Sequence, residues 1–255
     1  VSPRLLLDLG PDGALIAALL LGHAAADFVL QSDAMAEGKR RWSRLLMHVA
    51  VVIAAQAAAL LPFLTPRAAL VVLGVGVLHG VVDRVKATAA ARHPGARLSP
   101  LVADQAAHLV VLAAAWALLR GGAPASFLPP PTPEETATFT RLAVVGAAYA
   151  VCWNGAAAFV GGVLARFGLE DLRPGVGGQD AGPSRGRAIG ILERMLALTL
   201  VLVDRWGGLG LLLAAKSIAR FRDLDDRNMS EHYLIGTLAS LLCAVVAGIG
   251  VRLLV

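Results

Sequence analysis

Charge is scarce in this 255-residue chain. Asp, Glu, Lys and Arg make up 16% of it, against roughly 25% in an average soluble domain. Hydrophobic residues make up 57%, and the mean hydropathy is +0.69. So little solvating surface excludes an ordinary water-soluble globule. Aromatic residues are also few, at 5%; Ala, Leu, Val and Gly fill the apolar runs, a composition that lets helix backbones approach closely in lipid. The two cysteines, Cys152 and Cys243, lie inside apolar segments in no metal-type spacing, so neither a disulfide framework nor a cysteine-based metal knuckle is expected. No His-Glu-x-x-His occurs, which excludes a zincin-type protease. The Gly-Lys-Ser/Thr phosphate loop of a nucleotide site is missing, as are the clustered histidine boxes of membrane desaturases. "HGVVD" has the His-x-x-x-Asp spacing of membrane lipid phosphatases, but their accompanying Arg and Ser-Gly-His elements are absent.

What the chain has is long apolar runs of about 20 residues, enough to cross a bilayer core of about 30 Å. They fall at 13–31, 43–62, 67–87, 101–119, 140–166, 188–204, 206–222 and 231–253. This pattern predicts an all-α, polytopic transmembrane helix bundle of about eight helices. Residues 14–30 read as a retained first membrane helix. Only Arg4 precedes them, and Asp8 and Asp12 weaken the positive flank that a signal peptide needs. "DRWGGLG" at 204–210 predicts a very tight hairpin or a partly re-entrant pair. Of 23 Lys and Arg, 16 lie in or beside the loops after the first, third, fifth and seventh helices. That bias puts those loops in the cytoplasm and both termini outside. The net charge of +5 is therefore a topology signal, and no nucleic-acid partner is expected. The chain divides into a four-helix membrane half over 1–119, a Pro-rich outer loop over 120–139, and a second four-helix membrane half over 140–255 with a Gly-rich inner linker at 170–187.

Ionisable groups recur inside the first half. His23 and Asp27, His79 and Asp83, and Asp104 and His108 are each four residues apart, a spacing that stacks two side chains on one helical face. His48 starts the second helix. With the predicted topology all seven groups fall at one depth, roughly 5–12 Å inside the cytoplasmic boundary. Charged groups in a membrane are costly and tend to face a bundle interior with a functional partner. A divalent metal relieves that cost, because neutral imidazole and ionised carboxylate are its natural ligands. His23, Asp27, His79, Asp83, Asp104 and His108 are therefore the expected metal ligands or their orienters, and His48 a ligand or general base. They suffice for one ion with outer support or for a two-metal site. Mixed nitrogen and oxygen donors suit zinc, iron or manganese. In the second half, Glu193, Lys216, Arg220 and Glu231 lie at the same predicted depth, where the two cations can clamp an anionic head group.

The stretches "GHAAADFVLQSDAMAEGK", "LLMH", "LHGVVDRVK" and "DQAAHL" span residues 20–119. They resemble an uncharacterised bacterial integral membrane family, domain of unknown function 3307. "GILERMLALTLVLVDRWGGLGLLLAAKSIARF" and "EHYLIGTLAS" resemble the C-terminal half of many such proteins. The resemblance implies a multi-pass protein of the bacterial inner membrane and brings no activity with it. Three functions fit the pattern: an intramembrane metal-dependent hydrolase acting on a lipid-linked or anionic substrate, a proton-coupled divalent-metal transporter, and a structural membrane protein in which the ladder only fixes packing. The inward displacement of the site favours the first, since carriers place their sites near the midplane with broken helices.

Overall fold

A computed structural model describes residues 4–92, 97–121, 127–169, 183–219, 221 and 227–255. Among these every regular element is helical: α1 (Leu5–Asp8), α2 (Pro11–Ala25), α3 (Asp33–Glu37), α4 (Trp42–Ala59), α5 (Pro66–Arg92), α6 (Leu98–Leu119), α7 (Pro133–Ala150), α8 (Ala156–Arg166), α9 (Pro183–Leu202), α10 (Trp206–Ala219) and α11 (Arg227–Leu254). π-helical segments follow α2 at Ala26–Leu30 and α7 at Val151–Gly155. Six helical stretches are long and apolar enough to cross a membrane: Pro11–Leu30, Trp42–Ala59, Pro66–Ala91, Leu98–Leu119, Pro133–Arg166 and Arg227–Leu254. The two remaining predicted spans are also helical but differ in kind. α9 carries Arg187, Glu193 and Arg194 along its length. α10 has 14 residues, about 21 Å of rise, short of a bilayer core. The turn between them is tight, with Asp204 at φ 59°.

Capping chemistry explains where one helix begins. The apolar pattern starts at residue 140, yet α7 starts at Pro133. Thr132 and Glu135 form a capping box: Glu135 Oε2 accepts from the Thr132 amide at 2.8 Å, and Thr132 Oγ1 accepts from the Glu135 amide at 3.3 Å. Pro133 fills the first helical position, where a missing N–H costs nothing.

The chain forms two compact units. The first holds α1 to α5, α6 from Val102 onward, α7, and residues 251–255. α7 packs along α2 and belongs with the first unit. α2 is the central element, packed on both α4 and α7, while α4 also packs on α5. Its sequence makes this possible. Ala14, Ala17, Ala18, Leu19, Gly22 and Ala26 are all buried, and the small ones leave room for neighbouring backbones. At Gly22 a Cβ would lie 2.7 Å from Gln56 Oε1 and 3.0 Å from Gln56 Cα, so α4 crosses where only glycine fits. Gln56 Nε2 donates to the Leu19 carbonyl at 3.0 Å across the same contact. α6 is tied in by Trp116 Nε1, which donates to the Asp12 carbonyl at 2.8 Å. One end of this unit is an apolar core of Ala18, Leu19, Leu60, Val72, Val75, Leu112 and Leu119. The next layer along the same helices is polar.

The second unit holds the π segment at 151–155, α8 to α10, α11 as far as Gly250, and the start of α6. The widened turn at 151–155 leaves carbonyls without their usual i→i+4 donors. Arg194 from α9 supplies two: Nε donates to the Cys152 carbonyl at 2.8 Å and Nη2 to the Trp153 carbonyl at 3.1 Å. Arg187 Nη2 donates to Asn154 Oδ1 at 3.1 Å. Asn154 therefore acts between helices, as an amide in an apolar helix is expected to. The inner linker lies mostly outside the described residues.

Candidate metal centre

The polar layer of the first unit is built by four helices. α2 brings His23 near its end, and the π segment that follows carries Asp27. α4 brings His48 in its second turn, α5 brings His79 and Asp83, and α6 brings Asp104 and His108. His48, His79, Asp83 and His108 are each no more than 1% exposed, and His23 and Asp104 are 5%. Isolated ionisable groups this deep carry a heavy desolvation cost. Their arrangement offsets it only in part.

Four of these atoms converge. His48 Nε2 and His79 Nε2 are 3.1 Å apart. Asp27 Oδ1 lies 3.2 Å from His48 Nε2 and 3.1 Å from His79 Nε2. Asp83 Oδ2 lies 3.3 and 3.4 Å from the same two nitrogens. Five of the six separations among these four atoms, here called the cage, are thus nearly equal, while Asp27 and Asp83 share no converging group of three. Yet Asp27 Oδ1 and Asp83 Oδ2 have no hydrogen-bond partner: the separations suit hydrogen bonds and the alignment does not. The two Nε2 atoms lie within hydrogen-bond distance of each other, and each carboxylate oxygen approaches both. A tetrahedron around zinc, with bonds of about 2.0–2.1 Å, has edges of about 3.3–3.4 Å. The five separations that involve a ring nitrogen fall close to that edge length.

Lysines hold the outer oxygens of the layer. Lys39, from the turn between α3 and α4, donates from Nζ to Asp83 Oδ1 at 2.7 Å and is 7% exposed. Lys86 donates to Asp104 Oδ2 at 2.7 Å, and Gln105 Nε2 reaches the same oxygen at 3.1 Å. Each lysine leaves its carboxylate's second oxygen free for the interior. Asp104 stands one step out: His108 Nδ1 is 3.8 Å from its Oδ1, and it belongs to none of the converging groups of three found among the described residues. Those groups are Asp27–His48–His79, His79–Asp83–His108 and His23–Asp27–His108. His23 sits beside the cage, its Nδ1 3.9 Å from Asp27 Oδ2 and its Nε2 3.3 Å from Gln105 Oε1. The four imidazoles pack closely, with centroids 4.0 Å apart for His79 and His108 and 5.1 Å for His48 and His79.

The six residues picked out by spacing, together with His48, picked out by depth, therefore meet in one layer. Lys39, Lys86 and Gln105 were not singled out from the sequence. The lysines read as topology charges, and the available clue was position: Lys86 is three residues from Asp83, and Gln105 adjoins Asp104.

The residues singled out in the second unit are arranged differently. Glu193 and Lys216 form an ion pair between α9 and α10, and the Lys216 ammonium lies 5.7 Å from the Tyr233 ring centre. Glu231 is tied instead to Arg227 at 2.9 Å on the exposed start of α11. Arg220 lies outside the described residues. The cavity beside Glu193, Arg194 and Lys216 measures about 20 Å³, room for about one water rather than a head group. His232 Nδ1 donates to the Leu169 carbonyl at 2.7 Å, a structural bond.

These features define the class: an all-helical protein with membrane-type helices and a buried cluster of histidine and aspartate able to hold a metal ion. Residues 15–127 match the family described as "Protein of unknown function (DUF3307)". That segment contains His23, Asp27, His48, His79, Asp83, Asp104 and His108, together with both lysines. No curated protein and no solved structure matches the chain.

Proposed function

We propose that this protein is an intramembrane metalloenzyme, a hydrolase acting on an anionic or lipid-linked substrate, with a resident divalent ion held by Asp27, His48, His79 and Asp83. The observation that carries the reading is the cage: two imidazole nitrogens and two carboxylate oxygens at 3.1–3.4 Å, with both oxygens unpartnered. Zinc fits its size best, and iron or manganese suit the same donor types. His48 is assigned here as a ligand rather than a general base, because its Nε2 is a corner of the cage. A divalent ion in such a site supplies Lewis acidity toward a phosphoryl or carbonyl oxygen.

Two features favour an enzyme over a carrier. The cage is closed by four protein donors and its two carboxylates match the charge of a divalent ion, so the ion is held as a cofactor rather than passed on as cargo. The apolar layer of Leu19, Leu60, Val72, Leu112 and Leu119 blocks passage toward the opposite end. The Lys and Arg distribution and the family resemblance support a bacterial inner membrane with the centre near the cytoplasmic face. The test is metal content by mass spectrometry on detergent-purified protein, wild type beside His79→Ala/Asp83→Ala. Near-stoichiometric metal lost in the variant is the expected result. Wild type that comes off empty and stays empty after loading with zinc, manganese and iron refutes the centre. Metal-dependent uptake into liposomes would establish the carrier instead.

A further inference from the structure

One ion in the cage leaves a second set of buried atoms unexplained. His23 Nδ1, both ring nitrogens of His108, and Asp104 Oδ1 are buried without a hydrogen-bond partner. None of them is a corner of the cage. An orphaned buried polar atom costs on the order of 1–3 kcal/mol, so a group of them in one layer calls for a ligand. Two of these residues, His23 and His108, also draw together with Asp27. Donor atoms of His23, Asp27 and His108 fall within 4.8 Å of one another, and the His23 and His108 rings are 5.1 Å apart. Asp27 faces both ways: its Oδ1 belongs to the cage, while its Oδ2 turns to His23 Nδ1 at 3.9 Å.

We infer that His23, Asp27 and His108 form a second divalent-cation site, joined to the cage by Asp27 as a bridging carboxylate. The inference rests on the cage reading. The second site has three protein donors. Three protein donors and an open position distinguish catalytic from structural zinc. The second ion is therefore the one able to take a ligand from outside the chain.

Charge indicates what that ligand is. Two divalent ions together with Lys39 and Lys86 exceed the charges of Asp27, Asp83 and Asp104 by three. An uncompensated charge inside a membrane protein is costly, so the second ion binds together with an oxyanion, such as a phosphate or carboxylate group of the substrate. Asp104, held by Lys86, faces His108 at 3.8 Å and adds a negative charge beside the second site.

The test is the zinc-to-protein ratio at saturation, measured on chelator-stripped, detergent-purified full chain with and without inorganic phosphate. Wild type is expected to hold two ions. Phosphate is expected to tighten the weaker of them by about tenfold, within the usual range for coupled binding. His108→Ala and His23→Ala are each expected to hold one ion and to lose the phosphate effect. Wild type that saturates at one ion overturns the second site and leaves the cage standing. Wild type that binds none overturns both. Two ions that persist in both histidine variants place the second ion elsewhere and overturn the assignment. The wild-type ratio decides the matter even where a variant fails to fold.

Discussion

Lys39 gives the sharpest test of the cage, because it and a metal ion neutralise the same carboxylate. Its ammonium is buried and lies 2.7 Å from Asp83 Oδ1, and Asp83 itself is 1% exposed. Lys39→Met keeps the length of the side chain and removes its charge. Without metal, Asp83 then loses its lysine partner, and breaking a buried pair from one side costs about 3–5 kcal/mol. At about 2–4 °C per kcal/mol for a chain of this size, the variant melts about 6–20 °C below wild type in chelator. With zinc bound, the ion neutralises Asp83 from its Oδ2 side and the lysine is no longer needed there. The difference in Tm between variant and wild type is then expected to fall to less than half its value in chelator. Thermal unfolding of both proteins in detergent, with chelator and with saturating zinc, gives the four numbers required. An equal loss of Tm in both conditions would mean that the ion and Lys39 do not share Asp83, and the cage assignment would fail.

Four other outcomes follow from the same geometry. His48→Ala removes one of four donors; with about 10–16 kcal/mol shared over a four-ligand zinc site, zinc affinity measured against a chromogenic chelator drops by about 10²–10³-fold, whereas a general base outside the cage would leave affinity unchanged. Gly22→Val drives a side chain into Gln56 at the α2–α4 crossing, which costs about 1–3 kcal/mol and lowers both Tm and zinc retention by separating Asp27 from His48. Arg194→Met uncovers the Cys152 and Trp153 carbonyls and destabilises the second unit by about 1–3 kcal/mol per bare carbonyl, with zinc content unaltered; loss of zinc in this variant would refute the independence of the centre from that unit. Lowering the pH from about 7 to 5 releases zinc, since a ligating imidazole must be neutral and its ordinary pKa is about 6.5; retention of full zinc at pH 5 in a competing chelator would contradict imidazole ligation.

The helical class and the polar layer were legible in the sequence for a simple reason. A run of apolar residues reports its length directly, and an i,i+4 pair reports a shared face without knowledge of any neighbour. What spacing does not report is the rotation of one helix against the next. His48 has no aspartate four residues away, so nothing in its own segment marks it as a cage corner, while Asp104 has His108 and yet stands outside the cage. The π segment at Ala26–Leu30 is invisible to a pattern search, because "ADFVL" holds no glycine or proline to mark a change of helix type. The early start of α7 was within reach, since Thr132-Pro-Glu-Glu135 is a capping signature that hydropathy overrides. The first compact unit runs through α7 to residue 150 for a related reason. Prolines at 129, 130 and 131 mark the end of a helix, but what binds α7 to the first unit is its packing on α2, which no local signal carries.

The cage also fixes an order of events during synthesis. Its corners come from residues 27, 48, 79 and 83, spread over the first three membrane-length helices. No shorter nascent chain has the donors to retain an ion, and α6 has only to close over a layer already formed. Metal capture then coincides with insertion of α5. Before that step Asp27 and His48 are the two donors in place, and Lys39, which lies between them in sequence, is already present to pair with Asp83 when α5 arrives.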